Sequence, residues 1–200
     1  MTRMVQFAWR TLVRTRPVPG RRLLDPVVTR MRVLPQDLDV MMVVNNGSYL
    51  QLIDVAAAQQ IAEMGGTRLA AKRSWVGFVA ASTVRYRRPL RLWDRIEITS
   101  RVIGWDERLF YTEHLITRGG ELCTRGVVAR RFVSTRTGDR IVPGSIVSLL
   151  AQERGYVPQE RPELPADVTA WTAAWNGAPT DPAPSDTTSA DLTPSARDAR

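Results

Sequence analysis

Asp37 and Asp39 stand just ahead of Asn45, Asn46, Gly47 and Tyr49 in the segment DLDVMMVVNNGSYL, residues 37–50. Asparagine is among the residues that best open a helix, so the segment reads as an acidic, otherwise apolar loop running into a helix start. A carboxylate among apolar residues is costly to keep ionised unless something stabilises it. A helix N-terminus does so, through unpaired backbone N–H groups and the positive end of the helix dipole. The chemistry available here is that of an acid–base group or nucleophile beside a charge-stabilising helix end. The structural alternative is local: Asp often caps a turn, and D-x-D spacing alone is common.

Other chemistries are narrowed by what the chain has in single copy. His114 is the one histidine and Cys123 the one cysteine. That removes zinc sites built on several His ligands, most Ser-His or Cys-His arrangements, internal disulfides and thiolate clusters. His114 alternates with Phe110, Thr112 and Ile116 and reads as a structural strand residue, and Cys123 as a small buried one. Acid–base work falls to carboxylates, and a reducing cytoplasm fits the cysteine usage.

The elements that must position the loop follow from periodicity. Leu24 to Pro35 holds the alternating stretch RMRVL, a first strand ended by Pro35. After Asn45 or Asn46 as cap, Leu50, Ile53, Ala57, Ile61 and Met64 recur at helical spacing until Gly65-Gly66 stops them. Tyr49, Leu52, Val55 and Ala56 widen the apolar surface beyond one stripe, as in a helix wrapped by other structure. From Trp75 the pattern turns to β: Trp75–Arg88, Asp94–Gly104, Leu109–Thr117 and Glu121–Ser134, divided by short turns. These four most simply form an antiparallel meander. A short helix, Ser145–Glu153, follows Pro143-Gly144. The class is α+β, one antiparallel sheet wrapped on a central helix.

Three segments are expected: 1–26 as a basic amphipathic lead, 27–155 as the folded domain, and 156–200 as a Pro/Ala/Asp-rich tail that reads as disordered. Trp171 and Trp175 are the tail's exception, spaced for a short docking turn. In residues 1–16, apolar positions at helical spacing alternate with arginines, which suits loose contact with an anionic membrane face or packing on the domain itself. No run of about 18 apolar residues exists, so no membrane span is expected. The net charge is +8, but three basic and seven acidic residues follow Val157, leaving residues 1–157 with 25 basic against 13 acidic, or +12. Lys72 is the only lysine; arginine, with its forked bonds to phosphate and carboxylate, supplies the rest. An anionic ligand is expected, and nucleic acid is not, because the basic residues are scattered and no binding motif accompanies them.

Element order and loop together resemble the hotdog-fold acyl-CoA thioesterases, specifically the 4-hydroxybenzoyl-CoA thioesterase-like branch, over about residues 27–150. In that branch a segment D-L-D-x-x-x-H-x-N-N-x-x-Y-L leads from the first strand into the central helix. Both Asp, both Asn, Tyr49 and Leu50 match, and YRRPLRLWDRIEI resembles the branch's turn before the next strand. The resemblance implies a single hotdog domain and thioester hydrolysis at Asp39, as general base or as nucleophile. It also implies an acyl-CoA substrate, with coenzyme A as part of it and no separate cofactor or metal, and a homodimer or higher homo-oligomer. Asn45, Asn46 and Gly47 would polarise the carbonyl, and Met41, Met42, Val43 and Val44 would wall the acyl group. Asp37 would fix the loop; Tyr49 would bond the loop, shape the acyl pocket or simply pack in the core; and Arg85 and Arg87 would meet CoA phosphates or the acidic residues of a partner subunit, or else form a solvated strand end. Asp54 and Glu63, on the helix, are alternative bases or salt-bridge residues.

One position departs: Val43 stands where the branch carries His. The alternative reading is therefore a non-catalytic hotdog domain that binds acyl-CoA or serves as a scaffold. A hotdog hydratase is disfavoured, because its Asp-and-His pair cannot be built on this loop.

Overall fold

The computed structural model describes residues 16–176. The expected amphipathic helix of residues 1–16 lies outside the described residues but for Arg16, as does the tail from 177 onward. Among the described residues no helix is long and apolar enough to cross a membrane.

Strand β1, Val27–Arg32, turns Val27 and Thr29 inward and leaves Val28 and Arg30 exposed. A single 3-10 turn, Pro35–Asp37, follows it. Helix α1, Asn46–Glu63, begins where Asn45, still extended, accepts the Gly47 N–H at 2.8 Å. Leu52, Ile53, Val55, Ala56, Ala57, Ala58 and Ala62 are all buried, so the helix is covered on more than one face. Small residues make the close approach possible. A Cβ at Gly126 of the sheet would stand 2.6 Å from Ile53 Cδ1, so α1 lies directly on the strand backbone there.

Gly65, at φ +90°, ends α1 as expected, but the chain at once starts a second helix, α2, Gly66–Arg73, which the glycine pair hides in the sequence. The remaining elements are β2 (Trp75–Tyr86), β3 (Arg95–Trp105), β4 (Phe110–Arg118), β5 (Glu121–Ser134), the short β6 (Arg140–Ile141) and α3 (Pro143–Arg154). Their limits agree with the sequence reading to within two residues, β6 excepted, which that reading does not contain.

The pairing corrects the meander. Sheet order is β1-β3-β4-β5-β2, all antiparallel, with β6 on β5. Only β3-β4-β5 run as neighbours in sequence. Pro89–Trp93 is thus no hairpin but a crossover from one edge of the sheet toward the other. It is held by other partners: Val44 N–H donates to Leu90 O at 2.9 Å, and Val33 exchanges backbone bonds with Trp93 and Asp94. Leu90 is fully buried under the loop. This crossover ties the acidic loop to the sheet.

The core lies between α1 and the sheet in two clusters. One gathers Leu52, Ile53, Ala56, Ile98, Ile116 and Val128; the other, Met64, Leu69, Phe110, Ile146 and Leu150. Between them on β4 come Thr112 and His114, and on α1 comes Gln60, all buried. Ser100 Oγ meets His114 Nδ1 at 2.8 Å, and His114 Nε2 meets Thr112 Oγ at 3.1 Å. Since the Thr112 hydroxyl donates to Val128 O, this chain of bonds puts the histidine proton on Nε2. Burial first, and then the Arg130 charge, push the His114 pKa down to about 3.

Residues from Ala166 form a separate unit. Within it α4, Ala166–Asn176, stacks Trp171 on Trp175 at 6.3 Å, so the two tryptophans set apart from the rest of the tail in the sequence lie on a helix. Tryptophans four residues apart meet on one helical face.

Candidate active site

The loop between β1 and α1 is built from its two aspartates. Asp37, 1% exposed, accepts the Leu34 N–H on Oδ2 at 2.7 Å, and its backbone carbonyl takes the Asn45 N–H at 2.8 Å. Its carboxylate thus faces the loop interior and sets the distance from the end of β1 to the helix cap.

Asp39 is half-buried and closes the tip. Its Oδ1 accepts the Met41 N–H at 2.8 Å and, more loosely, the Val43 N–H at 3.4 Å. Its backbone exchanges bonds with Val43 O at 2.9 Å and Met42 N at 3.0 Å. Among the described residues no hydrogen-bond partner falls to Asp39 Oδ2. One carboxylate oxygen is therefore spent on the loop, and the other is free to accept a proton or to attack.

The tip stands away from the fold. Val40 is 97% exposed, Met41 76% and Met42 59%, and Met42 is held at φ +59°, which a non-glycine residue adopts rarely and at a cost of about 1 kcal/mol or more. Val43 is partly buried, and Val44 belongs to the core. The wall expected from Met41 to Val44 is thus divided, because Val44 must pair with Leu90 and turns inward.

The helix start offers fewer donors than its sequence suggests. Asn45 Oδ1 occupies the Gly47 N–H, and Asn45 O takes the N–H groups of Ser48 and Tyr49 at 2.9 and 3.3 Å. Asn45 N–H is bound to Asp37. The Asn46 N–H alone in this first turn has no partner among the described residues, and it points from the positive end of α1.

Tyr49 is buried, its hydroxyl accepting the Leu90 N–H at 3.3 Å. Burial raises its pKa above the usual tyrosine value, and the Leu90 bond opposes that rise. Its ring meets Tyr86 edge-on at 5.0 Å, and the Tyr86 hydroxyl donates to Asn46 O at 3.4 Å. Tyr86, at the end of β2, is a site residue that sequence reasoning missed by reading its neighbours only for charge. Arg91 is another, brought to the loop by the backbone bridge Val43↔Arg91.

The structure does not bring every candidate together. Alternation along β2 puts Val84 and Tyr86 on the helix side and Arg85 on the other. Arg85 and Arg87, both exposed, flank Tyr86 rather than facing Asp39. Asp54 pairs with Arg130 at 3.2 Å and Glu63 with Arg21 at 3.2 Å, both away from the loop along α1. Among the described residues no group of three or more His, Cys, Asp or Glu is placed to hold a metal ion.

A model of the thioesterase-like superfamily matches residues 33–172. Protein THEM6 of Xenopus laevis is 30% identical over 140 residues, 70% of this chain, and the chain spans only 63% of that relative's length. Among solved structures, the probable thioesterase YbaW of Escherichia coli matches at TM-score 0.58 and 19% identity, over 64% of this chain and 97% of that one. The Staphylococcus aureus protein SAV2348, solved in complex with CoA, matches at TM-score 0.57 and 14% identity, over 74% of this chain and 95% of that one. These structural likenesses are ones of fold.

Proposed function

This chain belongs to the thioesterase-like superfamily and has the hotdog fold, and on that premise we propose that it hydrolyses an acyl-CoA thioester with Asp39 as its catalytic acid–base group. The observation that carries this reading is the division of labour on Asp39: Oδ1 is fixed by two backbone N–H groups, while no partner among the described residues engages Oδ2, and the loop runs on into the helix start whose Asn46 N–H is also open.

In this scheme Oδ2 takes a proton from water as the water oxygen bonds to the thioester carbon. The carbonyl oxygen becomes an oxyanion and accepts the Asn46 N–H. When the tetrahedral species collapses, the C–S bond breaks, the CoA sulfur leaves as thiolate, and the proton held on Asp39 passes to it. A direct attack by Oδ2 would form a mixed anhydride that water then opens; both routes end in a carboxylate and free CoA. Met42 and Val43 would line the acyl group and Tyr49 would shape its pocket. Asp37, Asn45 and Gly47 act on the substrate through the loop and cap they hold. Arg85, Arg87 and Arg91 are the exposed cations assigned to the CoA phosphates.

The scheme includes a second copy of the chain. Strand β2 is twelve residues long, pairs on one side only among the described residues, and exposes Phe78 and Val79. An open apolar strand edge of this kind calls for a partner. Sedimentation of the wild type as a dimer, and of Val79→Lys as a monomer, is the expected outcome.

A second reading has its own observation. Val43 places no proton-carrying side chain beside Asp39, so the site would bind acyl-CoA without cleaving it. Release of free CoA thiol from short-, medium- and long-chain acyl-CoAs, measured alongside equilibrium binding, separates the two. Saturable binding with no release on any substrate would establish the second reading and remove the first.

A further inference from the structure

The hydrogen bonds that join Ser100, His114 and Thr112 between the two core clusters do not extend to Gln60 or to Arg130 Nε. Gln60 is 1% exposed, and among the described residues neither its Nε2 nor its Oε1 has a hydrogen-bond partner; nor has Arg130 Nε. Orphan groups of this kind cost about 1–3 kcal/mol each when nothing pairs with them. Both residues line a single cavity of about 60 Å³, whose other walls, Thr112 apart, are apolar and include Met64, Leu69, Trp75 and Phe132. Gly65 and Gly66 create the space: they turn α2 back so sharply that a Cβ on Gly66 would lie 3.0 Å from Ile61 Cγ2, and Leu69 and Ala70 of α2 roof the cavity.

This cavity is not the acidic loop's pocket. Gln60 lies fourteen residues along α1 from Asn46, about 21 Å at 1.5 Å per residue. The close-packed cluster of Leu52, Ile53 and Ala56 fills the interval.

The polar groups define what would fit. The Gln60 amide and Arg130 Nε present three N–H donors and one acceptor oxygen on a wall that is mostly hydrocarbon. Burial pulls the Arg130 pKa below the usual arginine value, and its pairing with the half-exposed Asp54 only partly offsets this. An anion inside the cavity would offset the remainder. At about 10–15 Å³ for each water-sized group, 60 Å³ holds about four to six of them.

We propose that this cavity is a second ligand site, binding a short aliphatic monocarboxylate of about two to four carbons, carboxylate included, its carboxylate on Gln60 and Arg130 and its chain among Met64, Leu69, Trp75 and Phe132. The site does not depend on the hydrolase reading, and its test reads a different part of the molecule. The full chain is labelled with 5-fluorotryptophan, the Trp75 and Trp93 fluorine resonances are assigned with Trp→Phe variants, and butyrate is titrated in. Butyrate is expected to shift the Trp75 signal saturably and to leave Trp93, beside the acidic loop, unmoved. Butan-1-ol, of the same length without the charge, is expected to bind at least tenfold more weakly.

Gln60→Leu is expected to weaken butyrate at least tenfold while raising Tm, since two orphan polar atoms leave the core; Arg130→Met is expected to weaken it by a similar factor. No saturable Trp75 shift, equal affinity for butanol and butyrate, or a Trp93 shift that saturates with Trp75 would overturn the proposal. If either variant fails to fold, the wild-type comparison of butyrate with butanol decides.

Discussion

The Tyr49 hydroxyl accepts the Leu90 N–H at 3.3 Å, joining the first turn of α1 to the crossover that the chain uses to reach β3. Leu90 is fully buried, so Tyr49→Phe leaves a backbone donor without water or a partner. The expected loss is about 1–3 kcal/mol of stability. Urea unfolding measures it, and a midpoint unchanged from wild type would show that this bond contributes nothing.

The Asn46 N–H can be removed without removing the helix. Asn46 is the first residue of α1 and Asn45 before it is extended, which is the setting in which proline is tolerated. Asn46→Pro is expected to retain the wild-type Tm to within a few degrees and to lower CoA release by about 10²–10³-fold, the usual effect of losing an oxyanion donor. Steady-state thiol release and a thermal melt on the same sample check both halves.

Val43→His places an imidazole where the backbone already pairs with Asp39. If proton handling limits turnover, the variant is expected to raise kcat by about tenfold or more. An unchanged kcat would mean that the wild-type loop lacks nothing that a histidine supplies.

His114 makes stability depend on pH. Its folded pKa, about 3, lies below the unfolded value near 6.5, so the unfolded chain takes up the proton first. Its neutral form is bonded to Ser100 and Thr112 and faces the Arg130 charge, which Asp54 partly balances. The associated stability is complete above pH 6.5 and drains as pH falls toward 3, by about 2 kcal/mol at pH 5. His114→Gln is expected to flatten the slope of unfolding free energy between pH 7 and 5, whatever its stability at pH 7.

Much of this architecture is written locally. The Asn45 cap, the apolar spacing through Met64 and the stop at Gly65 place α1 to within a residue, and β-branched runs place the long strands. Partners are not local. Alternation along Trp75–Tyr86 says that β2 is a strand, but only the burial of Leu90 beneath Val44 decides that the chain crosses over rather than turning back. The same limit holds at the site. Asp39, Asn45 and Asn46 are legible as a set, yet the use of the Gly47 N–H by Asn45, the turning of Asp37 into the loop and the approach of Tyr86 and Arg91 depend on contacts between residues far apart in the chain. The cavity lined by Gln60 is hidden altogether, since a glutamine at a helical core position reads as a surface residue until its neighbours are known.

Asp39→Asn puts the account to its most direct test. Asparagine keeps an Oδ1 that can accept the Met41 and Val43 N–H groups, so the loop should persist while the proton acceptor is lost. Thiol release from the best acyl-CoA substrate is measured for both proteins, with a thermal melt as the control for folding. The expected outcome is a fall in kcat of about 10²–10⁴-fold with KM and Tm close to wild type. A folded Asp39→Asn protein that keeps more than a tenth of wild-type turnover would contradict it.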